Sequence, residues 1–218
     1  MKTRIRERPM NKGILVVVSG FSGAGKGTVM KEIMKKYDDY ALSISATTRL
    51  PREGEVDGRE YFFKTVEQFK QMINENKLIE YANYVGNYYG TPKEYVENHL
   101  EAGKNVILEI EIQGALNIKK LYPDAVLMFI MPPDAKELEN RLRGRGTEDE
   151  KTVHARLMRA AEEAEGVEAY DYIVVNDDVT KCAERINDIV ICEKSKASNN
   201  LDVINNIRRE LKDLEGDN

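Results

Sequence analysis

A chain of 218 residues, 41% hydrophobic and 33% charged, is long enough for one large domain or two small ones with a well-solvated surface. Its 33 Lys and Arg against 38 Asp and Glu leave a net charge of −5, which argues against a nucleic-acid polymer as main partner. Apolar runs are too short for a membrane span, and no signal-peptide core is present. Cys182 and Cys192 form no metal-ligand pattern and fit a reducing cytoplasm, and two distant histidines, His99 and His154, make a histidine-based metal site improbable.

Residues 1–12 make a basic arm, with Lys2, Arg4, Arg6, Arg8 and Lys12 against Glu7. A solvated terminus is its plain reading, a contact with an anionic partner the sharper one. Met10 is an alternative start. Ile14-Leu15-Val16-Val17-Val18 is short, apolar and mostly β-branched, as a strand buried in a parallel sheet is. Val29 to Lys36 has apolar residues at helical spacing. Between them lies Gly20-Phe21-Ser22-Gly23-Ala24-Gly25-Lys26-Gly27-Thr28. Strand, glycine loop and helix form the setting of a phosphate-binding loop. Its glycines let successive backbone N–H groups turn toward an anion, and the helix N-terminus adds partial positive charge. Lys26 can reach the β- and γ-phosphates of a nucleoside triphosphate. The motif expects Ser or Thr after the lysine; Gly27 stands there and Thr28 follows, so the hydroxyl that meets Mg²⁺ stays open.

Tyr40 to Ser45 reads as a second short strand. Thr47 to Phe63 holds too much Pro and Gly for a continuous helix. In it Arg49 and Arg52 either present two guanidinium forks to one phosphate or solvate a surface loop. The run Ser45-x-x-Thr48-Arg49-x-x-Arg52-x-Gly54-Glu55-x-x-Gly58-x-x-Tyr61-x-Phe63 closely resembles the guanylate kinases, and the likeness continues to about residue 193. It implies an α/β fold of the P-loop nucleoside monophosphate kinase type, a parallel sheet with helices on both faces. The core would be 13–44 and 92–193, with a GMP-binding lobe inserted at 45–91 and a lid at about 141–160. It also implies phosphoryl transfer from ATP, with Mg²⁺, to GMP. By the same likeness Arg49, Arg52, Tyr61 and Tyr89 bind the GMP phosphate, and Ser45, Glu80 and Thr91 read the guanine edge. Residues Gly20 to Thr28 hold ATP.

Thr65-Val66-Glu67-Gln68 is a capping box that opens a helix through about Asn76. Leu78 to Ala82 and Asn87 to Gly90 read as strands of a small mixed sheet. Thr91-Pro92-Lys93-Glu94 is a second box, with Pro at the first helical position of a helix to about Ala102, so Thr91 is divided between capping and base reading. Asn105 to Glu111 is an apolar strand ending in carboxylates, and alternation puts Glu109 and Glu111 on one face. Glu111 stands where the family usually has Asp. It accepts a hydrogen bond from guanine, orders a Mg²⁺-bound water, or is a solvated strand end.

Ala125 to Met131 is another buried strand, stopped by Pro132-Pro133. A helix from Asp134 to Leu142 follows, with an Asp134-x-x-Glu137 box. Thr147 to Glu150 is a further box opening a polar helix with Arg156 and Arg159. The resemblance makes Arg141, Arg145 and Arg156 lid arginines, catalytic together with Lys26 and Arg49; Arg143 and Arg159 match no such position and serve as controls. Asp171 to Asn176 is the last strand, with Asn176 at the family position near adenine, and a helix from about Val179 to Ile191 closes the core. The polar tail 194–218 lies outside the resemblance. It holds an amphipathic pattern from Leu201 to Leu214, for which self-packing, a partner surface (a homo-oligomer included) and fraying are all open.

The GMP phosphate is already anionic at neutral pH, so the implied reaction needs positioning and charge neutralisation more than a strong base. A guanylate-kinase-like scaffold that binds phosphopeptides is the rival from another class. It has no need of Lys26 and the lid arginines. A kinase of another small phosphate ester on the same frame has no need of Ser45 and Glu80.

Overall fold

The computed structural model describes residues 12–84, 86–144 and 149–216. Its elements in chain order begin with β1 (Leu15–Gly20), α1 (Lys26–Lys36), β2 (Tyr40–Leu42), β3 (Ala46–Thr47), β4 (Phe62–Phe63), α2 (Val66–Asn74), β5 (Leu78–Tyr84) and β6 (Asn87–Pro92). They continue with α3 (Lys93–Glu101), β7 (Asn105–Glu109), α4 (Ile112–Leu121), β8 (Val126–Met131), α5 (Ala135–Gly144), α6 (Glu150–Ala164), β9 (Tyr172–Val175), α7 (Val179–Lys194) and α8 (Leu201–Gly216).

β1 is apolar along its whole length up to Ser19 because both of its faces are covered, and Val16, Val17 and Val18 are fully buried. It is the middle of a parallel five-stranded sheet in the order β2-β7-β1-β8-β9. Alternate side chains feed two cores. Val16 and Val18 pack with Met30 and Ile33 of α1 and Ile186 and Val190 of α7; Leu15 and Val17 pack with Val96 of α3 and Ile118 of α4. From β1 the chain runs through α1 to β2 on one side of it, and later crosses from β7 to β8 on the other side. The loop after β1 therefore lies at the switch point where an open α/β sheet gathers its ligands.

The segment between β2 and α3 forms a separate mixed sheet in the order β4-β3-β6-β5, covered by α2 through the fully buried Phe69. Its strands cross so closely at Gly90 that a Cβ there would stand 2.9 Å from the Glu80 carbonyl oxygen and 3.0 Å from the Phe69 ring. Gly90→Ala is expected to destabilise by about 1–3 kcal/mol, the range for overpacking. At roughly 2–4 °C per kcal/mol for a chain of this size, thermal unfolding would show the loss directly.

Helix ends follow the sequence in part. The Thr65 box forms: the Thr65 hydroxyl accepts from Gln68 N, and the Gln68 side chain accepts from Thr65 N. The Asp134 cap also forms, but Glu137 turns to Arg141 instead of back to the cap. Two expectations need correction. Pro92 occupies the cap of α3, one place earlier than expected, and Thr91 donates its hydroxyl to Glu80 instead of capping. The cap of α6 is Asp149, accepting from Thr152 N. Residues 145–148, which include Arg145 and Thr147, lie outside the described residues, as does the basic arm up to residue 11.

Helix α4 is absent from the sequence reading, and β7 stops at Glu109. Glu111 is the extended residue that precedes α4, so the strand alternation proposed for Glu109 and Glu111 does not reach it. Among the described residues no helix is long and apolar enough to cross a membrane. α8 is amphipathic as expected, with Leu201, Ile207, Leu211 and Leu214 exposed.

Candidate active site

The loop between β1 and α1 is held from below. Phe21 packs edge-on against Phe129 of β8 with ring centroids 4.9 Å apart, leaving the loop backbone uppermost. Gly25 caps α1 in a left-handed conformation at φ 89°, and a Cβ there would meet the Asn176 amide nitrogen at 2.6 Å. No side chain caps this helix start, so its N-terminal amides keep their affinity for an anion. Lys26 lies along the loop, its Nζ donating to the carbonyls of Gly20 at 2.6 Å and Phe21 at 3.3 Å. Gly27 has open space on its side-chain position, and Thr28 is exposed in the first turn.

Three side chains from distant sequence brace this loop. Asn176, buried at the end of β9, donates to the Ala24 carbonyl at 2.8 Å, and its own Oδ1 is buried without a hydrogen-bond donor. Arg141 of α5 donates to the carbonyls of Ala24 at 3.3 Å and Asn176 at 2.9 Å, while Glu137 holds its Nε at 2.7 Å. Arg156 of α6 donates to Ser22 Oγ at 2.9 Å. Asn176, at the position the family likeness puts near adenine, thus supports the loop through Ala24.

At the carboxyl end of β7, burial raises the pKa of Glu109; nearby Lys26 opposes the shift and Glu111 adds to it. β7 pairs with β1 so that Glu109 lies opposite Val18, two residues before the loop that follows β1. Glu111 is largely exposed and paired with Arg159 Nη2 at 3.1 Å. Arg159 is therefore no isolated control residue.

On the second sheet Arg49 lies over the rings of Tyr61 and Phe63, 5.2 and 5.8 Å from their centroids, and Tyr61 meets Tyr89 edge-on at 6.1 Å. Its Nη2 donates to both oxygens of Glu55 at 2.9 Å in a pair only 16% and 17% exposed. Glu55 also accepts from Arg52 N at 2.7 Å, the chief cause of its lowered pKa; the Arg49 pKa is raised mainly by Glu55. The Arg52 side chain is exposed at the rim. Sequence reasoning assigned no role to Glu55, although it sits in the Arg49-to-Phe63 run.

Tyr89 and Thr91 are two apart on β6 and share a face. The fully buried Thr91 donates to Glu80 Oε1 of β5 at 2.7 Å. The other Glu80 oxygen comes within 3.7 Å of where a Cβ on Gly114 of α4 would stand. Burial raises the Glu80 pKa, and the Thr91 hydrogen bond opposes the rise. Ser45 enters β3, its carbonyl accepting from Phe62 N at 2.9 Å.

Among the described residues no group of three or more His, Cys, Asp or Glu could hold a metal ion. The hard oxygens are few, Thr28 exposed in the first turn of α1 and Glu111 just before α4, a set that fits a Mg²⁺ carried mainly by phosphates.

A parallel sheet with a glycine-rich loop at its switch point and a second, inserted sheet beside it defines a P-loop kinase. The family model of guanylate kinase matches residues 12–193. Guanylate kinase of Caldanaerobacter subterraneus subsp. tengcongensis is 51% identical over 199 residues, 91% of this chain and 97% of that relative. That of Bacillus subtilis is 50% identical over 186 residues, 85% and 91% of the two chains. The crystal structure of guanylate kinase from Anaplasma phagocytophilum superposes with a TM-score of 0.68 at 33% identity, over 86% of this chain and 89% of that one. The chain belongs to the guanylate kinase family.

Proposed function

We propose that this chain transfers the γ-phosphoryl group of ATP to GMP, giving ADP and GDP. The observation that carries this reading is the joint presence of an intact donor loop with Lys26 and a second sheet that offers Arg49 beside Tyr61 and Tyr89, with Glu80 bonded to Thr91. An oxygen of the GMP phosphate attacks the γ-phosphorus as the bond to the β-phosphate oxygen breaks, and ADP leaves with that bond's electrons. The attacking oxygen is already anionic, so no side chain need remove a proton.

The roles divide by place. Lys26 and the amides of Gly20 to Thr28 hold the donor phosphates, with Asn176 and Arg141 fixing the loop's shape. When bound with ATP, Mg²⁺ would supply neutralising charge for the phosphates, and Thr28 and Glu111 are the residues that would hold it. Arg49, Arg52, Tyr61 and Tyr89 hold the GMP phosphate, and Ser45, Glu80 and Thr91 read guanine. Arg141, Arg145 and Arg156 stabilise charge on the transferred group as the lid, about 141–160, closes against the lobe at 45–91. Closure also excludes the water that would hydrolyse ATP. A cytoplasmic location goes with this reading, since both substrates are metabolites of that compartment.

Glu55 is a positioning residue in this scheme, since both its oxygens accept from Arg49 Nη2 and so aim the guanidinium. Glu55→Gln is expected to raise KM for GMP several-fold and leave KM for ATP unchanged, which initial rates against each substrate would show.

The reading as a whole is tested by coupled ADP release with ATP and a panel of nucleoside monophosphates. Turnover with GMP far above AMP, CMP and UMP is expected; GMP binding with no ADP release would favour a non-catalytic scaffold instead.

A further inference from the structure

Arg156 and Arg159 stand three apart on α6 and so lie on neighbouring positions of one helix face. Arg156 reaches the donor loop at Ser22 Oγ (2.9 Å). Arg159 reaches Glu111 (3.1 Å) at the start of α4, whose Gly114 adjoins Glu80. The Nε of Arg159 is held by Glu163 one turn along the helix, at 2.9 Å, and that carboxylate is only 14% exposed. Glu163 thus fixes Arg159, and Arg159 fixes Glu111, a side chain 73% exposed that would otherwise sample many rotamers. The guanidinium also places a positive charge beside Glu111, whose own charge raises the pKa of neighbouring Glu109.

We propose that Arg159 is a positioning residue for the acceptor. Through Glu111 it ties the lid helix to the guanine side of the cleft, so that one helix face sets both the lid's place over the donor loop and the aim of Glu111. The proposal rests on the reading of this chain as an ATP:GMP phosphotransferase. The family likeness assigns nothing to this position.

An exposed ion pair contributes little to folding, so the effect is expected in acceptor binding and not in stability. The test uses the full-length protein and four variants: Arg159→Ala, Arg159→Lys, Glu111→Gln and the double variant Arg159→Ala with Glu111→Gln. Initial rates are taken against GMP and against ATP, GMP affinity is measured by titration calorimetry without ATP, and unfolding temperature is recorded. Arg159→Ala is expected to raise both KM and Kd for GMP about fivefold, in keeping with an exposed charge pair. KM for ATP and the unfolding temperature should stay as in the wild type. Arg159→Lys should recover part of the loss. The double variant should be no worse than the poorer single one, because both changes break the same link. Additive losses would overturn the proposal, as would a fall in kcat at unchanged KM for GMP, the mark of an arginine acting on the transferred group. Should the wild type bind GMP without phosphorylating it, the reading of the reaction fails, and GMP titration of the four variants still decides the role of Arg159. A wild type that does not bind GMP overturns both.

Discussion

Lys26→Met is expected to lower kcat at least ~10²-fold and to leave GMP affinity nearly unchanged. Methionine keeps much of the stem's length and its packing while removing the ammonium group. That group lies along the glycine loop's backbone, 2.6 Å from the Gly20 carbonyl. Carbonyl contacts hold it ready at the start of α1, where it can exchange them for phosphate oxygens at small cost in reorganisation. The loop itself should survive the change, since its shape depends on the left-handed Gly25, on Phe21 against Phe129 and on Asn176 beneath Ala24. GMP binding should survive because Arg49 and its aromatic neighbours belong to the other sheet. Steady-state kcat and calorimetric titration of GMP check the two halves of the expectation separately. Turnover near the wild-type rate would show that the donor phosphates are neutralised elsewhere. A matching loss of GMP affinity would show that the variant had disturbed the fold.

The parts of this molecule that repeat locally were legible in its sequence. A β-branched run followed by glycines and a helix leaves little choice for β1, the loop and α1. The Thr65 box works because its partners are three residues apart. Other features depend on chain segments that meet only after folding. Thr91 has the sequence of a cap, yet Glu80, eleven residues earlier, competes for its hydroxyl and wins because a buried carboxylate needs a donor. Likeness alone puts Asn176 near the base, and only the fold shows its amide on the Ala24 carbonyl. Helix α4 was missed because its first turn has Gly114 and no side-chain cap, so that its start carries no local signal. With it went the setting of Glu111 and the partner of Arg159, which matches no lid position and reads as a control in the sequence. The guanylate kinase likeness supplied the acceptor residues that spacing could not, and the chain's membership of that family accounts for its reach to residue 193. Glu55 shows the limit of that route: it lay within the quoted run, and only the fold reveals what its carboxylate grips.

Glu80→Gln is expected to weaken GMP markedly and to narrow a preference over AMP that should reach at least ~10³-fold in kcat/KM in the wild type. Guanine presents N1–H and its 2-amino group side by side, two donors on one edge, and an ionised carboxylate can accept both. Adenine turns an unprotonated N1 toward the same place, leaving the carboxylate facing a lone pair with its desolvation uncompensated. Glu80 is built for such a choice. Thr91 holds one oxygen at 2.7 Å, the other faces Gly114 of α4, and burial raises the pKa, so an unmet hydrogen bond is costly here. IMP keeps N1–H but lacks the 2-amino group and should fall between the two. In Glu80→Gln the amide can turn a donor toward adenine N1, so AMP should lose less than GMP. The raised pKa adds a signature of its own. As pH falls, Glu80 takes up a proton earlier than an ordinary glutamate, so KM for GMP should climb at a higher pH than a solvated carboxylate would require, and Glu80→Gln should abolish that limb. The competing assignment makes Glu111, steered by Arg159, the main reader of the base in place of Glu80. Measuring GMP, IMP and AMP on the wild type, Glu80→Gln and Glu111→Gln separates them. An unchanged GMP:AMP ratio in Glu80→Gln would take the base away from Glu80, and a wild-type ratio below about ten would leave too little discrimination for a site that reads guanine at all.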